Sequence, residues 1–213
     1  MRPAGFRGFR RRAQISLEFM FIFAIMVIML AYSIDNISFS NNSASQQALV
    51  VQISLEEKNF ANVISNTISQ VYAQGPGAKA TGYVTLVYLK DSKMLKKASG
   101  LNNPYIFITY DGGVNITVIN STAPPLNFEG PNKNIFWSPS LYPGTLYNDS
   151  AVWNATFRSS ITVNGTTIYG LRIMPENLSS TIRVIVEWNP DLSELWSFDA
   201  NRGELRININ PGG

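Results

Sequence analysis

Residues 19–34 carry no charge, and a single carboxylate, Glu18, stands at the N-terminal edge of that apolar run. A helix that is apolar on every side belongs in lipid or among other helices. A polar neck rich in Asn and Ser follows at 35–47, where the helix is expected to weaken. Beyond the neck Leu49, Ile53, Phe60, Ile64, Ile68 and Val71 recur mostly at spacings of three, four and seven. That is the stripe of an amphipathic helix. Gly75-Pro76-Gly77 stops it, because Pro lacks the N–H that would continue the ladder. The pattern predicts one helix over 14–73 with two unlike halves.

From residue 82 the period changes. Segments 82–89, 105–110 and 114–119 are rich in Tyr, Val, Ile and Thr and read as strands, the last two joined through Asp111-Gly112-Gly113. Asn164-Gly165 between 160–163 and 167–173 is a strong hairpin signal. In 181–188, Ile182, Val184, Val186 and Trp188 alternate with Arg183, Ile185 and Glu187; in 203–209, Leu205, Ile207 and Ile209 alternate with Arg206 and Asn208. Half-buried antiparallel sheets require this period of two. Residues 120–150, with Pro124, Pro125, Pro131, Pro139 and Pro143, read as an irregular excursion. The expected fold is α+β. A long protruding N-terminal helix packs its second half, 48–73, on a head at 82–213, a sandwich or partly closed barrel of about seven or eight antiparallel strands.

Charge changes the picture at the N-terminus. The formal charge is +3, yet residues 1–13 hold five arginines (2, 7, 10, 11 and 12) and no acid; removing them leaves 12 basic against 14 acidic side chains. The basic balance belongs to the leader, and nucleic acid is not an expected partner. The chain has no cysteine and no histidine, which excludes disulfides, thiolate metal sites, His-containing zinc sites and Ser-His-Asp or Cys-His catalysis. Two carboxylates suffice for a glycosidase, but nothing in the pattern sets a pair such as Asp191 and Glu194 into a cleft. An enzyme is not expected.

Between the arginines and the apolar run stand Gln14, Ser16, Glu18 and Phe19. This box, behind Arg10, Arg11 and Arg12, resembles the Q-x-S-x-E-F leader of archaeal type IV prepilins, the class III signal peptide. The resemblance covers about the first sixty to seventy residues, counting the helix. It implies cleavage by a membrane aspartyl peptidase between Ala13 and Gln14, with Arg12 in the recognised flank. It implies retention of 14–34 as membrane segment and then filament core. It also implies that Glu18 pairs with the free α-amine of Gln14 in a neighbouring subunit, with Phe19 beside it in the assembly region. A carboxylate in an apolar bundle is costly unless it has such a partner; the alternative is a carboxylate that snorkels to water at the interface.

Two other readings of the run compete: a secretory signal cut after Ser33, and a plain uncleaved anchor. In each, positive residues stay inside, so the C-terminal part is expected outside the cell. Eight Asn-x-Ser/Thr triplets, at Asn36, Asn41, Asn115, Asn120, Asn148, Asn154, Asn164 and Asn177, are then candidate glycan acceptors, though an Asn-, Ser- and Thr-rich chain also makes them by chance. Trp137, Trp153, Trp188 and Trp196 are candidates for a carbohydrate platform or for core. Asp199, Asn201 and Gly203 faintly echo a calcium loop but fit a hairpin turn better. The expected function is a filament subunit with no cofactor and no metal. Its partners would be copies of itself, a prepilin peptidase, the assembly machinery, the membrane before assembly, and outside surfaces. The alternative is a secreted or anchored monomeric binding module.

Overall fold

The computed structural model describes residues 7–120, 134–146, 155–163, 165–191 and 196–209, with side chains from residue 19 onward except those of 31–44. The chain divides into two compact units, Met1–Gln46 and Gln47–Gly213. Helix α1, Arg7–Gln74, contributes to both. Its backbone is helical through 35–47. Gly75 ends it in a left-handed conformation (φ 89°), its N–H donating to Val71 O at 3.1 Å.

The second unit holds the end of α1 and two sheets. The strands are β1 (Lys79–Thr85), β2 (Tyr105–Tyr110), β3 (Gly113–Ile119), β4 (Ile135–Pro139), β5 (Arg158–Val163), β6 (Thr166–Ile173), β7 (Thr181–Glu187), β8 (Trp196–Asp199) and β9 (Glu204–Asn208). One sheet has the order β1-β7-β9-β8 and the other β4-β3-β2-β6-β5. Neither closes into a barrel. The second sheet is antiparallel throughout, but β7 and β9 run parallel, with Val184 opposite Leu205, which corrects the expectation of a wholly antiparallel head. Among the described residues nine strands occur, one more than expected. The Asn164-Gly165 signal is met: Val163 faces Thr166 across a two-residue connection, although Asn164 itself lies outside the described residues.

The segment expected as a strand over 82–89 stops at Thr85. Glu56 of α1 explains why. Its Oε1 accepts from Val87 N (2.7 Å) and Tyr88 N (3.1 Å), and its Oε2 from Tyr88 N (3.0 Å) and Leu89 N (2.9 Å). Three successive N–H groups taken by one carboxylate cannot also serve a ladder. A short helix not among the expected elements, α2 (Ser92–Ser99), follows. Asp91 caps it by accepting from Lys93 N and Met94 N at 2.9 and 3.0 Å, and it buries only Leu95.

One core joins α1 to the inner faces of both sheets. Ile53, Phe60, Ala61, Ile64, Ile68 and Val71 are buried in it with Val84, Ile106, Ile116, Leu171, Val184 and Leu205. The stripe read from the sequence therefore faces the sheets, each Ile or Phe stabilising by about 1.5–3 kcal/mol. Around it Ser65 Oγ donates to Pro139 O, Leu141 N donates to Ser69 Oγ at 3.1 Å, and Tyr72 stacks on Trp188 at 5.6 Å. A smaller cluster, Tyr105, Phe107, Ile119 and Ile161, covers the other face of the second sheet.

Where β1 passes the helix the approach is close. A Cβ on Gly82 would lie 2.7 Å from Thr67 Oγ1 and 2.8 Å from Val63 Cγ1, both on short β-branched side chains with little room to yield. Gly82→Val should therefore cost about 1–3 kcal/mol by overpacking. The exposed neighbour Thr81→Val should stay within about 0.5 kcal/mol. Urea unfolding of the two variants checks this; equal midpoints would show that the contact yields freely.

Candidate functional site

The first candidate is the apolar segment of α1. Arg12, Ala13, Gln14 and Glu18 lie on its helical backbone, and their side chains lie outside the described set. Phe19 is described and exposed. From Phe19 to Leu30 eleven large apolar side chains are each 48–70% exposed in the single chain. Exposed apolar area this continuous marks a surface that another molecule covers. Among the described residues no helix is long and apolar enough to cross a membrane.

The second candidate lies in the docked half of the helix. Glu57 falls on the buried stripe, between Ile53 and Phe60, and is 3% exposed. Its Oε1 is buried without a hydrogen-bond partner. Burial pushes the carboxyl well above its ordinary value of 4.5. Beside it opens a cavity of about 240 Å³, lined by Val50 and Ile53 of α1, Leu95 and Ala98 of α2, Val118 of β3 and Phe136 of β4, among others.

Residues 11–35 match the family model described as the class III signal peptide, the type IV pilin-like signal. The chain carries a class III signal peptide. The match spans Arg11, Arg12, the Gln14–Phe19 box and the apolar run, and leaves residues 1–10 and 36–213 unassigned. No curated protein and no solved structure matches the chain at a significant level. A class III signal peptide suggests a type IV pilin-like protein, secreted or assembled. It implies processing by a prepilin peptidase, and it indicates a membrane-anchored precursor and a pilus-like location at the cell surface. The signal is of a structural type, and no enzyme family is shown.

The other sequence candidates separate. Asn148, Asn154, Asn164, Trp153 and Glu194 lie outside the described residues, as do the side chains of Asn36 and Asn41. Asn115 sits within β3, between Thr109 and Trp137, with its Oδ1 buried and unpartnered. Asn120 follows β3 half-buried, and Asn177 is half-buried in a 3-10 turn. Trp196 is core, Trp188 packs on Tyr72, and only Trp137 of the described three is exposed, so those three form no platform. Asp199 Oδ1 accepts from Asn201 N (3.0 Å) and Arg202 N (3.2 Å), the self-bonded turn expected before β9. Asp191 is exposed. Among the described residues no group of three acids gathers as metal ligands. On the outer face of the first sheet Glu204 is flanked by Arg206 and Arg183, whose hydrogen bonds hold its carboxyl below the ordinary range.

Glu56 and Glu57 were not singled out by the pattern, although a signal was available for Glu57. It is four residues after Ile53 and three before Phe60, an acid in the register of the stripe. Glu56 gives no such sign, because its partners are backbone N–H groups more than thirty residues away.

Glu57 makes stability depend on pH. Its folded pKa is raised, so the folded chain binds the proton more tightly than the unfolded one. The stability this confers is full below about 4.5 and is lost as pH rises through the folded value. Glu57→Met, which fits the apolar register, should gain about 1–3 kcal/mol near neutral pH, the cost of leaving a buried polar group unmet, and flatten the fall in melting temperature between acid and neutral conditions. Parallel pH profiles of wild type and variant would show that Glu57 is not the group responsible.

Proposed function

We propose that the protein is a structural subunit of an archaeal type IV pilus-like cell-surface filament. In this reading a prepilin peptidase cuts between Ala13 and Gln14, with Arg12 in the recognised flank. The precursor sits in the cytoplasmic membrane with its arginine-rich N-terminus inside, in keeping with the positive-inside rule. The apolar segment then leaves lipid for contacts with copies of itself. The observation that carries the reading is the coincidence of the class III signal peptide with the exposed apolar side chains of 19–30 on one helix. A signal cut after Ser33 would discard that surface; a cut before Gln14 keeps it on the mature chain. Adhesion or surface interaction belongs to the β-rich unit, and the eight Asn-x-Ser/Thr triplets are its candidate glycan acceptors.

Glu18 is the residue that sets register in this scheme. After cleavage Gln14 carries a free α-amine, and Glu18 of an adjacent subunit neutralises it within the apolar bundle, with Phe19 packed alongside. An unpaired charge there costs several kcal/mol; a matched amine removes the penalty and fixes axial position.

N-terminal sequencing of the mature protein tests the processing step. Gln14 as first residue supports the proposal, Ile34 points to a secreted module, and Met1 to an uncleaved anchor. Glu18→Gln tests assembly. The variant should be processed and folded as wild type, because residues 14–18 lie outside the unit that contains the core. Breaking a buried pair from one side costs roughly 3–5 kcal/mol at each contact, so filaments should become scarce or absent in electron micrographs while mature subunit accumulates in membranes. Wild-type filament numbers from processed Glu18→Gln subunits would reduce Glu18 to an interfacial carboxylate.

A further inference from the structure

We propose that the cavity beside Glu57 is a socket for an alkylammonium group, a primary ammonium on a short unbranched carbon chain. The inference concerns the second unit alone and does not rest on the filament reading. It begins from an oddity of composition. The walls are mostly hydrocarbon, from Val50, Ile53, Leu95, Ala98, Val118 and Phe136, with Ser54, Ser99 and Asn134 also on the lining, and a carboxyl group is set among them with Oε1 wholly buried and unbonded. A stripe position given to Glu instead of Leu or Met weakens the core unless something meets the acid. Nothing among the described residues does so. Glu56 beside it is engaged with the backbone of 87–89, Lys58 donates to Trp137 O, and Glu57 takes part in no ion pair.

The size and chemistry of the cavity narrow the occupant. About 240 Å³ falls below the roughly 300–1,000 Å³ of pockets for drug-sized ligands, and suits a group the size of one side chain. Water beside Ser54, Ser99 and Asn134 brings no counter-charge to the acid. Ser99 on the rim already donates to Leu95 O at 2.7 Å and accepts from Leu101 N at 3.2 Å. An anion is opposed by the carboxylate, and a purely apolar group would leave it unmet. A primary ammonium converts the orphaned acid into an ion pair, while its methylene chain lies against the hydrocarbon walls. That is also the chemistry of a lysine side chain. A lysine of a second copy and a free alkylamine are thus the two sources of one ligand.

The test uses the full mature chain in detergent micelles, with glutamate side-chain carboxyls labelled with ¹³C and the Glu57 signal assigned by its loss in Glu57→Gln. Titration with n-butylammonium should give a saturable change at that signal. It should also lower the apparent pKa of Glu57 by about one to three pH units, the effect of an opposite charge at close range. n-Butanol and ammonium chloride, each lacking one half of the ligand, should do neither. No saturable change, or the same change with n-butanol, overturns the proposal. Ala98→Phe fills the cavity and keeps the acid, so it should abolish the response while leaving the fold intact, whether or not Glu57→Gln folds. Carbodiimide coupling of an equal mixture of ¹⁴N and ¹⁵N chains separates the sources. Glu57 joined to a lysine of the other isotope identifies a second copy, and saturable binding without coupling identifies a free amine. Glu57 joined only to lysine of its own chain means that the socket is filled internally, and overturns the proposal.

Discussion

Two sheets and one helix meet in a single apolar cluster, and that shared burial governs the second unit. Each sheet turns one hydrocarbon face inward, and residues 53–71 of α1 lie between those faces and water. A sheet with an open apolar face is neither stable nor soluble alone. Close packing against the helix then dictates details far along the chain. It admits only a hydrogen at Gly82, takes the backbone N–H groups of 87–89 onto Glu56, and seats Ser65 and Ser69 against the end of β4. A protein interior behaves like a crystal rather than a liquid, so small departures at one of these points are felt at the others.

The parts of this arrangement that depend on local pattern were legible. The stripe on α1, the Gly75 stop, the β5–β6 hairpin and the alternation in β7 and β9 follow from periods of 3.6 and 2 and from turn chemistry. What stayed hidden depends on partners distant in sequence. No pattern within 181–209 tells that β7 and β9 run parallel with β8 outside them. Nor does anything in 82–89 tell that Glu56 ends the strand early. Helix α2 was missed although its signals are local: Asp91 as N-cap, Met94, Leu95 and Ala98 on one face against Lys93, Lys96 and Lys97, and Gly100 at its end. The signal segment was the reverse case: the linear spacing of Arg12, Gln14, Ser16, Glu18 and Phe19 identifies it without any fold.

The long helix thus carries two apolar surfaces with different solvents in view. One, at 53–71, is consumed within its own unit. The other, at 19–30, is unmet in the single chain and lies within the class III signal peptide. The two surfaces differ in kind as well as in place. The first is a stripe with polar flanks, suited to one fixed neighbour. The second is apolar all round, suited to neighbours on every side.

The pairing of β1 with β7 has a consequence for the order of events during folding. Lys79 faces Glu187 across 108 residues, and β9, which completes the first sheet, lies later still. A chain made N-terminus first therefore presents its greasy helix well before the surface that shelters it exists. Contacts of such separation form slowly, because the closure of a long loop precedes any gain. The interval is a window for aggregation or proteolysis. Folding rate, as much as equilibrium stability, then bears on how much of this protein reaches its folded form.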